Sequence, residues 1–475
     1  MLETVFFLPL LTGLAALFLP VKLGRIVLVV TALLHLQMTI IGWLHPFTPI
    51  FPGFFGSAPV GLLVLLVTSF IFVFISLYGV FYMKEQEMQS EPIFIGCMLL
   101  FLGTMSMAAL ADHAIVLWIA IEATTLVSAP LIFINRSKKA LEATWKYVLI
   151  CSVGIALALL GFFFITLSMD RAGIDIPLTF SSLNTVAHQL DPVWLKTGFI
   201  FVLIGFGTKM GLAPMHTWLP DAHSEAPSPA SALLSGALLN CAFLGIYKVH
   251  TVMYLAGLGE FSSSLLIAFG LFSILVAGIF ILRQPDYKRM LAYSSIENMG
   301  VIAFGVGVGG LGLYGAMLHL IHHSLLKSSL FLSAGNLLLG FGTKLVAKAG
   351  NMVRLMPKTF VAFFAGFVGI SGLPPFGVFI SELLIVLGAF QTGHPVAAGL
   401  FIASLILVVA GFAQIVTSLS FSPSQEEILV KEQMLRVVPP FALLLTSIAL
   451  CIWMPDALYQ TISNAIAVLG GTIHG

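Results

Sequence analysis

Apolar residues in this chain gather in long uninterrupted stretches separated by short polar connections, rather than alternating or recurring every third or fourth position. A helix that crosses a bilayer needs about 20 mostly apolar residues. Stretches of that kind lie near residues 2–19, 25–44, 59–82, 92–110, 113–134, 142–169, 193–213, 228–256, 263–282, 290–309, 311–340, 359–388, 396–420 and 434–456. The pattern predicts an all-α polytopic membrane protein of about fourteen spans. An even count places both termini on one side. The first stretch follows Glu3 rather than a basic segment and has no small-residue cleavage site, so it reads as a retained helix, not a signal peptide.

Cytoplasmic connections collect Lys and Arg, which tests the count independently. Numbered in order, the odd connections hold fifteen basic residues and the even ones only Arg171 and Lys196, while Lys146, Lys209, Lys248 and Lys327 lie inside spans. Odd connections are therefore expected in the cytoplasm and both termini on the other side.

Composition narrows the class further. Only 9% of the 475 residues are charged and 59% are hydrophobic, with a mean hydropathy of +1.07, which excludes an ordinary soluble domain and a disordered chain. A net charge of +1 gives no field for nucleic acid. The four cysteines fall singly within apolar runs, so neither a disulfide framework nor an iron-sulfur site is implied. No connection is long enough for an extramembrane domain; the longest, roughly Asp170 to Pro192, has just over twenty residues.

Two spans carry helix breakers: the seventh at Gly205, Gly207, Gly211 and Pro214, and the twelfth at Gly369, Gly372, Pro374, Pro375 and Gly377. Paired broken helices in two halves point to inverted repeats, because unwound backbone at membrane depth must line a polar cavity. Either break alone is also explained by the commonness of Gly and Pro in membrane helices.

Ionisable residues at lipid depth call for explanation. A lysine at a helix centre costs about 2.5–3.5 kcal/mol, so four cost on the order of 10 kcal/mol unless offset. Lys146 lies about a turn inside its span, where it can snorkel. The acids available are Glu122 in the fifth span and Glu382 after the second break, with Glu142 and Glu297 nearer helix ends and within reach of water. His319, His323 and Lys327 recur at i, i+4 and i+8, forming one stripe on the eleventh span, with His322 about 60° away. Imidazoles beside a buried amine suit proton relay. A single buried His is equally explained as a hydrogen-bonded structural residue, and a metal on His319 and His323 lacks a third ligand, so no metal is expected.

Three segments carry a resemblance: Lys209-Met-Gly-Leu-Ala-Pro-Met-His-Thr-Trp-Leu-Pro-Asp-Ala-His-Ser-Glu-Ala-Pro227, Asp286-Tyr-Lys-Arg-Met-Leu-Ala-Tyr-Ser-Ser-Ile-Glu-Asn-Met-Gly300 and His319-Leu-Ile-His-His-Ser-Leu-Leu-Lys-Ser-Ser-Leu-Phe331. The chain resembles the antiporter-like subunits of respiratory complex I, Mrp-type antiporters and membrane-bound nickel-iron hydrogenases, and most the hydrogenase-4 and formate hydrogenlyase F type. The resemblance implies a three-helix segment (1–91), two inverted five-helix repeats (92–256 and 257–420) and a final span with a short tail (421–475). It also implies a proton path through Glu122, paired with Lys209, then Lys248, His319, His323, Lys327 and Glu382. Accessory candidates are Glu142, Lys146, His216, Asp221, His223, Asn240, Glu297 and His322. Relatives often carry a lysine at the place of Asn240, so Lys248, or water held by Asn240, is the expected link between halves.

The function implied is proton translocation within a multisubunit oxidoreductase complex of hydrogenase or NADH/quinone dehydrogenase kind. This chain would have no redox centre or cofactor of its own. Its partners would be other membrane subunits, a peripheral redox arm and H+ or Na+, in a prokaryotic cytoplasmic (inner) membrane. The alternatives are an Mrp-type Na+/H+ antiporter subunit without redox chemistry and a non-conducting scaffold.

Overall fold

The structure is a computed structural model describing residues 2–45, 48–88 and 90–470, and among these residues it is helical without a β-strand. Each of the fourteen expected crossings has its helix. Twelve are long and apolar enough to cross a bilayer as they stand, from Val21–Leu44 to Met434–Ile452. The first is shorter than expected, at Thr4–Ala16. The other is the twelfth, which falls into Pro357–Ile370 and Gly377–Gln391 at its break, while the seventh keeps a full-length Pro192–Met210 before its own break and Trp218–Glu225 after it.

Local sequence explains where the helices begin. Proline occupies the first turn of Pro59–Glu85, Pro192–Met210, Pro357–Ile370 and Pro395–Phe421, where its missing N–H costs no hydrogen bond. Asp191 caps the seventh span, accepting from Val193 N at 3.0 Å and Trp194 N at 3.1 Å, and Asp286 does the same for the tenth.

Burial sorts the spans into a core and a lipid-facing ring. The most apolar windows of the eighth (Ser228–Leu255) and tenth (Tyr287–Val308) spans are 100% buried and that of the eleventh (Gly310–Phe341) is 94% buried, against 33% for the second and thirteenth. The polar sequence of the central three spans is thus kept from lipid by their neighbours. Close backbone approach builds that shield. A Cβ at Gly205 would lie 2.5 Å from Ala158 N on the sixth span (Lys138–Arg171), so only glycine lets the sixth and seventh spans meet.

The two breaks share one local sequence, Gly211-Leu-Ala-Pro214 and Gly372-Leu-Pro-Pro375, with left-handed glycines at φ +84° and +66° and cis X–Pro bonds. They lie five spans apart, an odd number, and so run through the bilayer in opposite senses. This is the inverted relation expected from the sequence. At the first break Trp218 Nε1 donates to the Thr208 carbonyl at 2.8 Å and Ser273 Oγ of the ninth span accepts from Ala213 N at 2.9 Å, so the exposed backbone is tied to both halves.

Two helices of seven residues or more were not expected. Phe180–Val186 lies in the connection after the sixth span, and Asp456–Ala467 follows the fourteenth with Leu458, Ile462, Ala465 and Ile466 buried. Both are shorter than a span and bury one face only, so a search for long apolar runs passes over them.

Candidate functional site

In the first half, the fifth (Ala114–Phe133), sixth and seventh spans converge on Lys209, the next-to-last residue of the helix before the break and fully buried. Its ammonium donates to Thr125 Oγ1 and to the Tyr147 hydroxyl, each at 2.7 Å, and lies 4.5 Å from the Tyr147 ring centroid. Tyr147 shares a 2.6 Å hydrogen bond with Ser128. Glu122 accepts from Ser152 Oγ at 2.6 Å and meets Thr125 Oγ1 at 3.5 Å. The expected direct pairing of Glu122 with Lys209 is therefore replaced by a bridge through Thr125. One turn of helix separates Thr125 from Glu122, which sets the hydroxyl between acid and amine.

In the second half, Glu297 needs correcting from the expectation that it lies near a helix end in reach of water. It sits mid-helix in the tenth span, 2% exposed. Asn298 donates to its carboxylate and to Ser294 O. The Asn298 oxygen lies 2.9 Å from His319 Nε2, and His319 Nδ1 is 3.0 Å from Ser381 Oγ. Ser381 is also placed to donate to Val378 O at 2.8 Å. A hydroxyl has one proton. Donated to His319 it fits a neutral imidazole; donated to Val378 it leaves Ser381 as an acceptor for an imidazolium. The site accommodates His319 with or without an added proton.

His323 stacks at 6.4 Å on His319 and is fully buried, yet neither ring nitrogen has a partner among the described residues. Lys327 donates to Leu291 O at 2.7 Å and makes no ion pair among the described residues. His319, His323 and Lys327 lie together as the spacing predicts, and His322, expected about 60° away, turns to Ser447 on the fourteenth span at 3.0 Å.

Between the halves stand Asn240, donating to Ser324 Oγ at 2.8 Å, and a Ser235–Ser295 hydrogen bond at 2.7 Å. Ser235 lies within a π-turn of the eighth span, Leu234–Leu238, and Asn240 follows two residues after it. Lys248 does not serve here. It lies two turns further on, donating to the Ala111 carbonyl at the other end of the helix, so the position between the halves falls to Asn240. Glu382 also stands apart from Lys327, its carboxylate over the Gly372 backbone in a groove of about 560 Å³ between the twelfth and thirteenth spans.

A vestibule of about 590 Å³ opens at the ends of the spans joined by odd connections. Lys146 bridges Glu142 (2.6 Å) and Asp221 (3.0 Å), Arg289 pairs with Asp221 (2.8 Å), and Lys344 with Glu225 (2.8 Å). Lys146 is thereby accounted for as a surface group. Beneath the vestibule His223 stacks on Phe331 at 5.2 Å, fully buried, with no close partner for either ring nitrogen among the described residues. His216 packs between Phe280 and Tyr293, away from the line. Thr125, Tyr147, Ser152, Asn298 and Ser381 were not singled out from the sequence. The available signal was a polar residue within one helical turn of a buried charge, which Thr125 and Asn298 both satisfy.

A multi-span chain with two broken helices and acids, amines and imidazoles held at membrane depth is an antiporter-like membrane subunit. The transmembrane family described as NADH:quinone oxidoreductase/Mrp antiporter matches residues 111–408, and the chain belongs to it. It is 38% identical over 320 residues to a hydrogenase-4 component F homolog of Methylacidiphilum infernorum, covering 67% of each chain. It is 33% identical to hydrogenase-4 component B of Escherichia coli, covering 72% of this chain and 52% of that one, about half its length. The same fold occurs in a structure of the Mrp complex from Dietzia sp. DQ12-45-1b (TM-score 0.84, 19% identity, 99% and 96% of the chains) and in respiratory complex I from Thermus thermophilus (0.83, 23%, 99% and 100%).

Proposed function

We propose that this chain is the proton-translocating subunit of a multisubunit redox complex of the hydrogenase-4 kind in a prokaryotic cytoplasmic membrane. Electrons pass through partner subunits that form a peripheral arm, while H+ moves through this chain, in two repeats spanning 92–256 and 257–420. The observation that carries the reading is the His319 node, where Asn298 and Ser381 fit both protonation states of a buried imidazole and Asn298 links it to Glu297. General acid–base groups must gain and lose protons without rearranging their surroundings, and this node does so by turning one hydroxyl.

Supply from the cytoplasm is assigned to the vestibule and His223, whose ring nitrogens lack a close partner among the described residues, and from there to Lys327 one helical turn from Phe331. The Lys209–Thr125–Glu122 bridge holds the proton of the first half. The positive-inside distribution supports placing the vestibule in the cytoplasm. Fold similarity to the Mrp complex keeps a second reading in view, Na+/H+ exchange without redox chemistry.

The test is proton uptake into liposomes carrying the full chain, driven by a potassium diffusion potential. Lys209→Met and Glu297→Gln should each lower uptake about a hundredfold, with the protein still extracted as a folded species. Wild-type uptake in both variants would remove the reading. Uptake that requires a sodium gradient would favour the second.

A further inference from the structure

Lys248 is left without a role by its displacement from the junction of the halves. It is 94% buried by virtue of a relative exposure of 6%, at the far end of the eighth span. Its ammonium has three donors, of which one meets the Ala111 carbonyl. The Phe180 ring lies 5.0 Å away and gives one face of favourable contact. No other acceptor among the described residues reaches it. A buried ammonium so placed needs water.

The space for that water is present. A cavity of about 210 Å³ adjoins the amine, lined by Asp112, Phe180, Ser181, Asn184 and Thr251. At about 30 Å³ per molecule it holds several waters. Asn184 Oδ1 is buried and lacks a donor among the described residues, so a second group calls for water in the same place. Asp112 accepts from Ser181 Oγ at 2.5 Å, and Ser181 is exposed, so the cavity leads to the aqueous surface.

Its walls come from the even connections and from the helix after the last span, the face opposite the vestibule. Asn240, whose Oδ1 is also unpartnered, lies two turns deeper on the same helix, about 12 Å along the axis. Leu244 is buried in the interval between them.

We infer that the Lys248 cavity is the outer mouth of a proton path, with Lys248 the protonatable side chain at its inner end and Asp112 and Asn184 holding the water it exchanges with. The inference rests on the proton-translocating reading. A purely structural lysine, pinning the helix end to Ala111, is the rival account.

The full chain in liposomes tests it, in a Cys451→Ser background because Cys451 is the one native cysteine not buried. Lys248→Met should lower driven proton uptake about tenfold or more. Lys248→Cys should fall alike, recover when an aminoethyl methanethiosulfonate restores an amine, and stay low with the sulfonatoethyl reagent. A membrane-impermeant trimethylammonium reagent should reach Cys at this position from the non-cytoplasmic side alone. Wild-type uptake in Lys248→Met, labelling from the cytoplasmic side, or labelled protein that fails to recover with the amine each overturns the inference. Absence of uptake in the unaltered chain overturns the proton-translocating reading and this inference with it.

Discussion

Thr125 shows how much a single hydroxyl decides. Placed between Glu122 and Lys209, it keeps them from a direct ion pair and gives the lysine a neutral acceptor. A direct pair in low dielectric would hold the ammonium charged, whereas neutral partners leave it able to release a proton. Thr125→Val keeps the shape and removes the oxygen, and should lower driven proton uptake about tenfold with thermal stability of the detergent-solubilised chain lowered by only about 1 kcal/mol. Tyr147→Phe leaves Lys209 one acceptor fewer and should act in the same direction, measured in the same liposome assay. At the residue scale, then, charged positions could be read from the sequence because their cost in lipid marks them. Of their neutral partners only Thr125 and Asn298, within a turn of a charge on their own helix, carried a signal; Tyr147, Ser152 and Ser381 are unremarkable in membrane helices until the fold sets them beside a charge.

At the scale of elements, glycine placement determines which helices touch. The sixth and seventh spans approach at Gly154, Ala158, Gly198 and Gly205, and the ninth and tenth at Gly270 and Gly300, where an added Cβ would fall 2.7 Å from Gly300 O. These contacts carry Tyr147 to Lys209 and hold the tenth span behind His319. Gly205→Leu should destabilise the chain by at least about 1–3 kcal/mol through overpacking, read as a lower unfolding temperature in detergent. Gly399→Ala, with nothing within 4 Å of its Cβ, should leave that temperature unchanged or slightly raised. The broken spans belong to the same scale. Glycine and proline marked both sites in the sequence, but the sequence did not say that Trp218 and Ser273 would close the first of them.

For the whole molecule, the division of basic residues between connections corresponds to two physical faces. Residues from the odd connections meet in the vestibule of Lys139, Asp221, Arg289 and Lys344, and residues from the even connections meet around Asp112 and Ser181. Cysteines placed at Thr343 and Ser181 should therefore react with an impermeant thiol reagent from opposite sides, Thr343→Cys from the cytoplasm and Ser181→Cys from the other. Labelling of both from one side would refute the fourteen-span count. The central spans, polar in sequence and buried in the structure, are wrapped by more apolar spans such as the sixth, ninth and thirteenth, which offsets the cost of carrying charge at that depth.

The sequence by itself determined the number and order of the spans, the two breaks and the charged positions, because each follows from a local physical requirement: length of apolar chain, loss of backbone hydrogen bonds, or the cost of a charge in lipid. Only the tertiary structure decided which charges share a site. Lys248 left the junction for the outer surface, Glu297 entered the interior, and Glu382 turned to a lateral groove, since those outcomes depend on helix rotation and on contacts between residues far apart in the chain.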